Sequence, residues 1–413
     1  MHPSCPVEII DYILDLVVAL PDLTTHLFPP YCFYTDVHDL PLSAIKLSTC
    51  FLYSLTLVCK QWNTICTPRL YRCLAVDDDS AIDLLLRTLE HSQTTAGGIL
   101  PLGSLTRHLI IALSAPIHYQ HEAVSFAYIE AMIQHRFGDL GRLARCLPHL
   151  QILSISIFSD DFEIFGGPSL YYGKDFAAAI IQTSAHSLLK LHLNHGIFFL
   201  FSPQELRKLL ESTPNLVAII GSGVRDTIGC PVALPYLPKL KYLVVNDVMG
   251  DCDRSKHEDN RTPFLDHIHI HLSYHSDYFV HLLSAQGARL TSVSLDLRPS
   301  NFASDWLSML TSFCPNLSYL EICIFTWGGF PRLNTLPPIK RLGIRLHIGF
   351  TSVAVVCESL ATIQSPSLEV VHLMNTDWTL DDGKSPWDPL VHRTFRVVDW
   401  DGRELCPGQS IKK

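Results

Sequence analysis

A short apolar phrase, L-x-x-L-x-L, recurs through most of this chain and restricts the fold more than any other feature. It reads "LQILSI" from Leu150, "LLKLHL" from Leu188, "LVAIIG" from Leu216, "LKYLVV" from Leu240 and "LDHIHI" from Leu265. It continues as "LTSVSL" from Leu290, "LSYLEI" from Leu317, "IKRLGI" from Ile339 and "LEVVHL" from Leu368. Most copies start 22–29 residues apart. The third copy is degenerate, with Gly221 in the last apolar place. Several copies follow a proline by two residues, as in "LPHL", "TPNL", "LPKL" and "CPNL". Side chains alternate along a strand, so the fourth and sixth residues of each copy point to one face. "LTRHLIIAL" at 105–113 reads as a tenth strand in slipped register.

Helical patterns separate several of these strands. They fall at 175–185, 202–213, 276–286, 304–313 and 352–363, and four of them open on a serine suited to the N-cap. Units 216–240 and 240–265 carry Gly/Pro or charged segments instead, and "GDCDRSKHEDNR" at 250–261 reads as a mobile loop. One strand and one helix cannot bury an apolar face alone, whereas a stack of them can. The expected fold is therefore α/β: a short N-terminal helical module, then a leucine-rich-repeat solenoid with a curved parallel sheet. An α/β domain with parallel strands is the alternative, because it also alternates strands and helices.

The first 75 residues have a different grammar. In "PVEIIDYILDLV", Val7, Ile10, Ile13, Leu14 and Val17 line one helical face, and Glu8, Asp11 and Asp15 face away. Residues 18–50 hold Pro21, Pro29, Pro30 and Pro41 and read as an insertion. In "LTLVCKQWNTICTPRLYRCL", Leu55, Val58, Cys59, Trp62, Ile65 and Cys66 recur at helical spacing, and the helix is expected to end before Pro68. The expected domains are a helical module over 1–75 with the 18–50 insertion, a connecting segment over 76–145 that starts the solenoid, the repeats over 146–400, and a tail over 401–413.

Composition narrows the function classes. Hydrophobic residues make up 47% of the 413 and charged residues 17%, ample for a core and unlike a disordered chain. The formal net charge is -9 with no block of Lys/Arg, which argues against nucleic acid as a partner. The 13 cysteines are scattered singly through apolar segments, the pattern of reduced, buried thiols. The N-terminus lacks a basic region and carries acids in its apolar run, and no segment reaches membrane-spanning length. The expected location is cytoplasmic or nuclear, with no membrane partner.

With these residues on view, "PVEIIDYIL" at 6–14 resembles the first helix of an F-box. "LYSLTLVCKQWNTICTPRLYRCL" at 52–74 is similar to its second half, with Val58, Cys59, Lys60, Trp62, Pro68, Leu70 and Tyr71 at the matching positions. The position before Pro6, commonly Leu, is Cys5, and the insertion at 18–50 is unusual for this family. The chain as a whole resembles F-box proteins with divergent leucine-rich repeats, a type abundant in fungi. The resemblance implies a substrate-recognition subunit of a cullin-based ubiquitin ligase. Its F-box would dock on a Skp-type adaptor and its repeats would hold an unknown protein substrate. A scaffold with a vestigial F-box is the alternative, and an α/β enzyme with an unrecognised site is a further one.

The candidate adaptor face is Pro6, Ile9, Ile10, Ile13, Leu14, Leu55, Val58 and Trp62. A module this small cannot bury all its apolar residues by itself. Intramolecular core is the competing use for Ile13, Val58 and Trp62. Strand alternation puts His192, Asn194, Tyr242, His267, His269, Tyr319, Glu321, Arg341, Arg345 and His372 on the concave, solvent-open face, as candidate substrate contacts. His267, His269 and His271 lie about 7 Å apart in sequence along one strand face, too linear to close a tetrahedral zinc site alone. Cys59, Cys66 and Cys73 are spaced by seven, a helical period rather than a metal signature. No nucleophile elbow, zinc-protease motif or P-loop is present, so no enzymatic activity, cofactor or metal is expected.

Overall fold

The computed structural model describes residues 9–10, 12, 14, 42–95, 100–114, 126–158, 173–194, 201–222, 234–246, 262–272, 277–297, 303–324, 333, 336–346, 353–374, 390, 393–399 and 402–405. They belong to two compact units. The first holds the described residues through Ser222 together with 234–237, and the second begins at Pro238.

The first unit opens with helical residues at Ile9, Ile10, Tyr12 and Leu14, then α1 (Leu42–Thr56) and α2 (Lys60–Leu70). The strands are β1 (Cys73–Val76), β2 (His108–Ser114), β3 (Ile152–Phe158), β4 (Lys190–Asn194) and β5 (Ala218–Ser222). Helices α3 (Asp79–Thr95), α4 (Phe126–Arg145), α5 (Lys174–Thr183) and α6 (Pro203–Glu211) alternate with them. Each strand pairs in parallel with the next in the chain.

The second unit repeats the scheme. Its strands are β6 (Tyr242–Asn246), β7 (His267–Leu272), β8 (Ser292–Leu297), β9 (Tyr319–Ile324), β10 (Arg341–Leu346), β11 (Val370–Leu373) and β12 (Arg396–Asp399). Helices α7 (Asp277–Gln286), α8 (Ala303–Phe313) and α9 (Val353–Leu360) lie between them. Again all pairings are parallel and in chain order. This is the α/β arrangement of a leucine-rich-repeat stack, with helices between several strands and every described strand in chain order.

The repeat phrase sets the core directly. Leu150, Leu153 and Ile155 are buried, and so are their counterparts Leu290, Val293 and Leu295, or Ile339, Leu342 and Ile344. Register superposes them, with Leu109 opposite Leu153 and Leu153 opposite Leu191 in the first unit, and Val293 opposite Leu320 in the second. At most strand entries one carbonyl accepts two N–H groups from the following repeat. Arg107 O takes those of Gln151 and Ile152 at 2.8 and 2.9 Å, and Thr291 O takes those of Ser318 and Tyr319 at 2.9 and 3.1 Å. The α6 start illustrates a complete cap: Ser202 Oγ accepts from Glu205 N while Glu205 Oε2 accepts from Ser202 N.

Several expectations change. The single helix from Leu55 to Cys66 is two helices, broken at Leu57–Cys59, where Cys59 is extended (φ -164, ψ 170). Asn63 Nδ2 donates to Thr56 O at 3.3 Å and so satisfies an end carbonyl of α1. Pro68 sits inside α2 rather than after it, in the last turn, where a missing N–H costs one bond and the helix stops two residues later. Part of the expected insertion, residues 42–50, is the start of α1. The boundary at 75 falls inside β1, so the parallel sheet begins at Cys73, just before the segment expected to start the solenoid. Past 400, Glu404 makes an antiparallel bridge to Val398. The expected loop at 250–261 lies outside the described residues.

Candidate functional site

The helical module is built around a small core of Ile10, Leu14, Leu52 and Cys66, with Leu55, Trp62, Ile65 and Leu70 half-buried against it. Of the sequence candidates, Ile10 and Leu14 are therefore internal, and Leu55 and Trp62 are shared between core and surface. Ile9 is exposed, and Val58 stands out at 63% exposure on the turn between α1 and α2. Pro6 and Ile13 lie outside the described residues. Sequence reasoning missed Leu57 at 69% exposure, together with Leu47, Phe51 and Tyr53 on α1, all large apolar side chains in solvent. The break at Leu57–Cys59 accounts for the turn residues, because a continuous helix would have kept Val58 in line with Leu55 and Trp62.

The polar strand face is not the open surface that alternation alone suggests. In the first unit His108, Ser154, Ser156, Lys190 and His192 are all buried. Parallel strands about 4.8 Å apart set side chains of successive repeats directly against one another, with Ile110 opposite Ser154 and Ser154 opposite His192. His108 Nε2 hydrogen-bonds Ser154 Oγ at 3.1 Å, and its Nδ1 lies 3.6 Å from Cys73 Sγ. Burial drives the His108 imidazole down to about 3, helped by the positive influence of His192 and Lys190, so the ring is neutral. Burial pushes the Cys73 thiol up to about 12, which leaves it protonated and a poor nucleophile. Cys73 is thus a strand residue of a neutral polar chain, not the third turn of a helix. The Asn194 side chain lies outside the described residues.

In the second unit the same face carries charge. Register lines up Val244, His269, Ser294, Glu321, Gly343 and His372 across β6 to β11. Glu321 and His269 are each 0% exposed, and Tyr319 is buried. Glu321 Oε1 accepts from Arg345 Nε at 3.1 Å, and the Tyr319 hydroxyl donates to Glu321 Oε2 at 3.5 Å. Burial raises the Glu321 carboxyl, and Arg345, Tyr319 and Ser294 pull it back towards the charged form. Gly343 makes this packing possible: a Cβ there would lie 2.5 Å from the Tyr319 hydroxyl and 3.3 Å from Glu321 Cγ.

Solvent reaches this face at some positions only. Tyr242 and His267 are half-buried and stack ring on ring, with centroids 4.5 Å apart and planes 1° apart. His267 Nε2 also lies 3.3 Å from Asp266 Oδ2, but burial outweighs that carboxylate and lowers the imidazole. Arg341 is exposed, and Arg345 and His372 are half-buried. Sequence reasoning also missed Arg396 on β12, exposed and two strands from Arg341. The "RVV" beginning at Arg396 alternates like the other strands and was the available signal. Among the described residues no group of three His, Cys, Asp or Glu is placed to hold a metal ion. Among them, too, no helix is long and apolar enough to cross a membrane.

No family model and no curated protein matches this chain. Among solved structures it is similar to the leucine-rich repeat-containing protein LegL7 from Legionella pneumophila, at 14% identity and a TM-score of 0.39. The match covers 82% of this chain and 94% of that one.

Proposed function

We propose that this protein is the substrate-recognition subunit of a cullin-based ubiquitin ligase, with its helical module docking on a Skp-type adaptor and its repeats holding a protein substrate. It acts by binding inside the cell, in cytoplasm or nucleus, and carries out no reaction itself. The observation that supports this reading is the exposure of Val58 and Leu57 beside a core too small to cover them. Large apolar side chains projecting from a short helix pair are the usual means of docking on a helical partner. The polar, aromatic and charged mixture on the strand face of the repeats suits a protein partner in the same way.

The structure sharpens the test. Trp62 is half-buried in the module core, so Trp62→Ala confounds folding with docking. Val58→Asp changes a side chain that is mostly in solvent. Full-length protein is expected to co-purify with a Skp-type adaptor, and Val58→Asp to weaken recovery by about 10-fold or more with an unchanged melting temperature. Failure of the wild-type chain to retain any such adaptor ends this reading.

A further inference from the structure

We propose that Cys73, His108 and Ser154 form a concealed site where a small hydroperoxide oxidises the Cys73 thiol once the first turn of α1 lifts off the strand face. This goes beyond the binding role proposed above and does not depend on what the helical module docks on.

Cys73 and His108 are register partners on β1 and β2, on the face away from Leu74 and Leu109. Cys73 Sγ lies 3.6 Å from His108 Nδ1, and His108 Nε2 lies 3.1 Å from Ser154 Oγ. With Nε2 donating to the serine, the Nδ1 lone pair is the one that meets the thiol. A thiol, an imidazole within reach and a hydroxyl that orients the ring are the parts needed to draw off the thiol proton in place. All three side chains are buried.

Their cover is α1. Ile45 is buried against Cys73 and Ile110, with Ala75 beside them. The next residue, Lys46, pairs with Asp77 just beyond β1. That ion pair is open to solvent and holds weakly. The first turn of α1 has no acidic residue to favour its end of the helix dipole. Further along, Leu52 is anchored in the core of the module. The first turn can therefore open locally while the rest of α1 stays in place.

Closed, the site is inert. Burial keeps the Cys73 thiol protonated and His108 neutral, against the pull of Arg72 towards the thiolate. Lys190 and His192 on β4 also disfavour a charged His108, so that ring relays a proton rather than keeping it. Lifting Ile45 removes burial, the largest influence on both groups, and leaves Arg72 acting on the thiol. The Cys73 proton then passes to His108 Nδ1. The thiolate attacks one peroxide oxygen, an S–O bond forms as the O–O bond breaks, and the leaving oxygen takes the proton from His108. Sulfur is oxidised to the sulfenic acid, and the hydroperoxide is reduced to water or an alcohol. Such an oxidant is small and uncharged, as an opening lined by Ile45, Ile110 and Ala75 requires. The added oxygen is polar and has no place under Ile45, so α1 stays lifted until a thiol reduces the sulfenic acid.

Thiol modification of the full-length chain, located by mass spectrometry, tests this. Cys50 is the exposed reference, and Cys146 is the buried reference in the same unit. With iodoacetamide, Cys73 in the wild type is expected to react about 100-fold more slowly than Cys50. Lys46→Ala is expected to raise the rate at Cys73 relative to Cys146 by about 2-fold, and Ile45→Ala by about 10-fold or more. Taking the ratio to Cys146 removes any general loss of stability. A ratio unchanged in both variants overturns the proposal, because Cys73 is then reached only when the whole unit unfolds.

The second measurement reads the chemistry. In Ile45→Ala at neutral pH, hydrogen peroxide followed by dimedone is expected to label Cys73 about 5-fold faster than the more exposed Cys50. Adding His108→Gln is expected to remove that excess and to leave a rate that rises about tenfold per pH unit, as for a thiol with no base beside it. Labelling of Cys73 no faster than that of Cys50 overturns the proposal. So does an excess that survives His108→Gln.

Discussion

In the first unit the polar strand face is organised around a neutral imidazole, and in the second the corresponding face is organised around an ion pair. His108, between Cys73 and Ser154, escapes the cost of burial by giving up its proton. Glu321, between Ser294 and Gly343, has Arg345 and Tyr319 to compensate a charge. The geometry is alike, with parallel strands in chain order and matched register. What differs is whether the neighbouring repeats supply a counter-charge. A buried position in such a stack is thus settled by the residues one strand to either side, and only then by its own chemistry.

The largest way to break this contrast is Arg345→Ala. It leaves a buried carboxylate without its cation and is expected to destabilise the second unit by about 3 kcal/mol, read as a lower urea midpoint. Glu321→Leu combined with Arg345→Met is expected to recover most of that loss. A double variant as unstable as Arg345→Ala alone would show that the ion pair is not what the face depends on.

Acid sharpens the contrast from the other side. The folded His108 titrates near 3, below the ordinary 6.5. The neutral ring therefore favours the folded state fully above pH 6.5, and that advantage is lost as pH falls towards 3. Between pH 6.5 and 4.5 the loss from this one residue is expected to be about 2 kcal/mol. Urea unfolding at the two pH values measures it, and His108→Gln should flatten the dependence by that amount. An unchanged dependence would mean that His108 is not the titrating group.

The smallest effect tests what the two units share. Asn215 Nδ2 donates to His186 O at 2.6 Å, and Asn316 Nδ2 donates to Ala288 O at 2.7 Å. Each asparagine precedes the first leucine of a repeat and reaches the turn of the repeat before it. Substitution by alanine is expected to cost about 1 kcal/mol in either unit, because both bonds are exposed to solvent. Unequal costs would show that the turns are not equivalent.

Much of the fold could be read directly. Leu150, Leu153 and Ile155 announce a core-facing strand, and all three are buried. The helix at 202–213 carries its own start signal in Ser202 and Glu205, and the structure closes that capping box. The strand faces were legible only in part. Alternation assigned His269, Tyr319 and Glu321 to the side away from the leucines, and register keeps them there. It did not show that this side is packed, because packing depends on which residues other repeats place 4.8 Å away. The candidate site was harder still. Arg396 lies in a strand whose copy of the phrase is too degenerate to count, and Gly343 matters only because Tyr319 occupies the space above it. In the helical module, Val58 fits a continuous helix by spacing alone.

The sequence by itself determined the period, the parallel α/β stack and the identity of the leucine face, since these rest on spacings within a few residues. Only the tertiary structure decided the rest. It broke the helix at Leu57–Cys59, carried the sheet back to Cys73, and buried His108 and Glu321 on the second face. It also brought Arg341 and Arg396 to either side of Val370. Each of these depends on side chains far apart in the chain, and their mutual desolvation, charge and volume are settled only when the strands come into register.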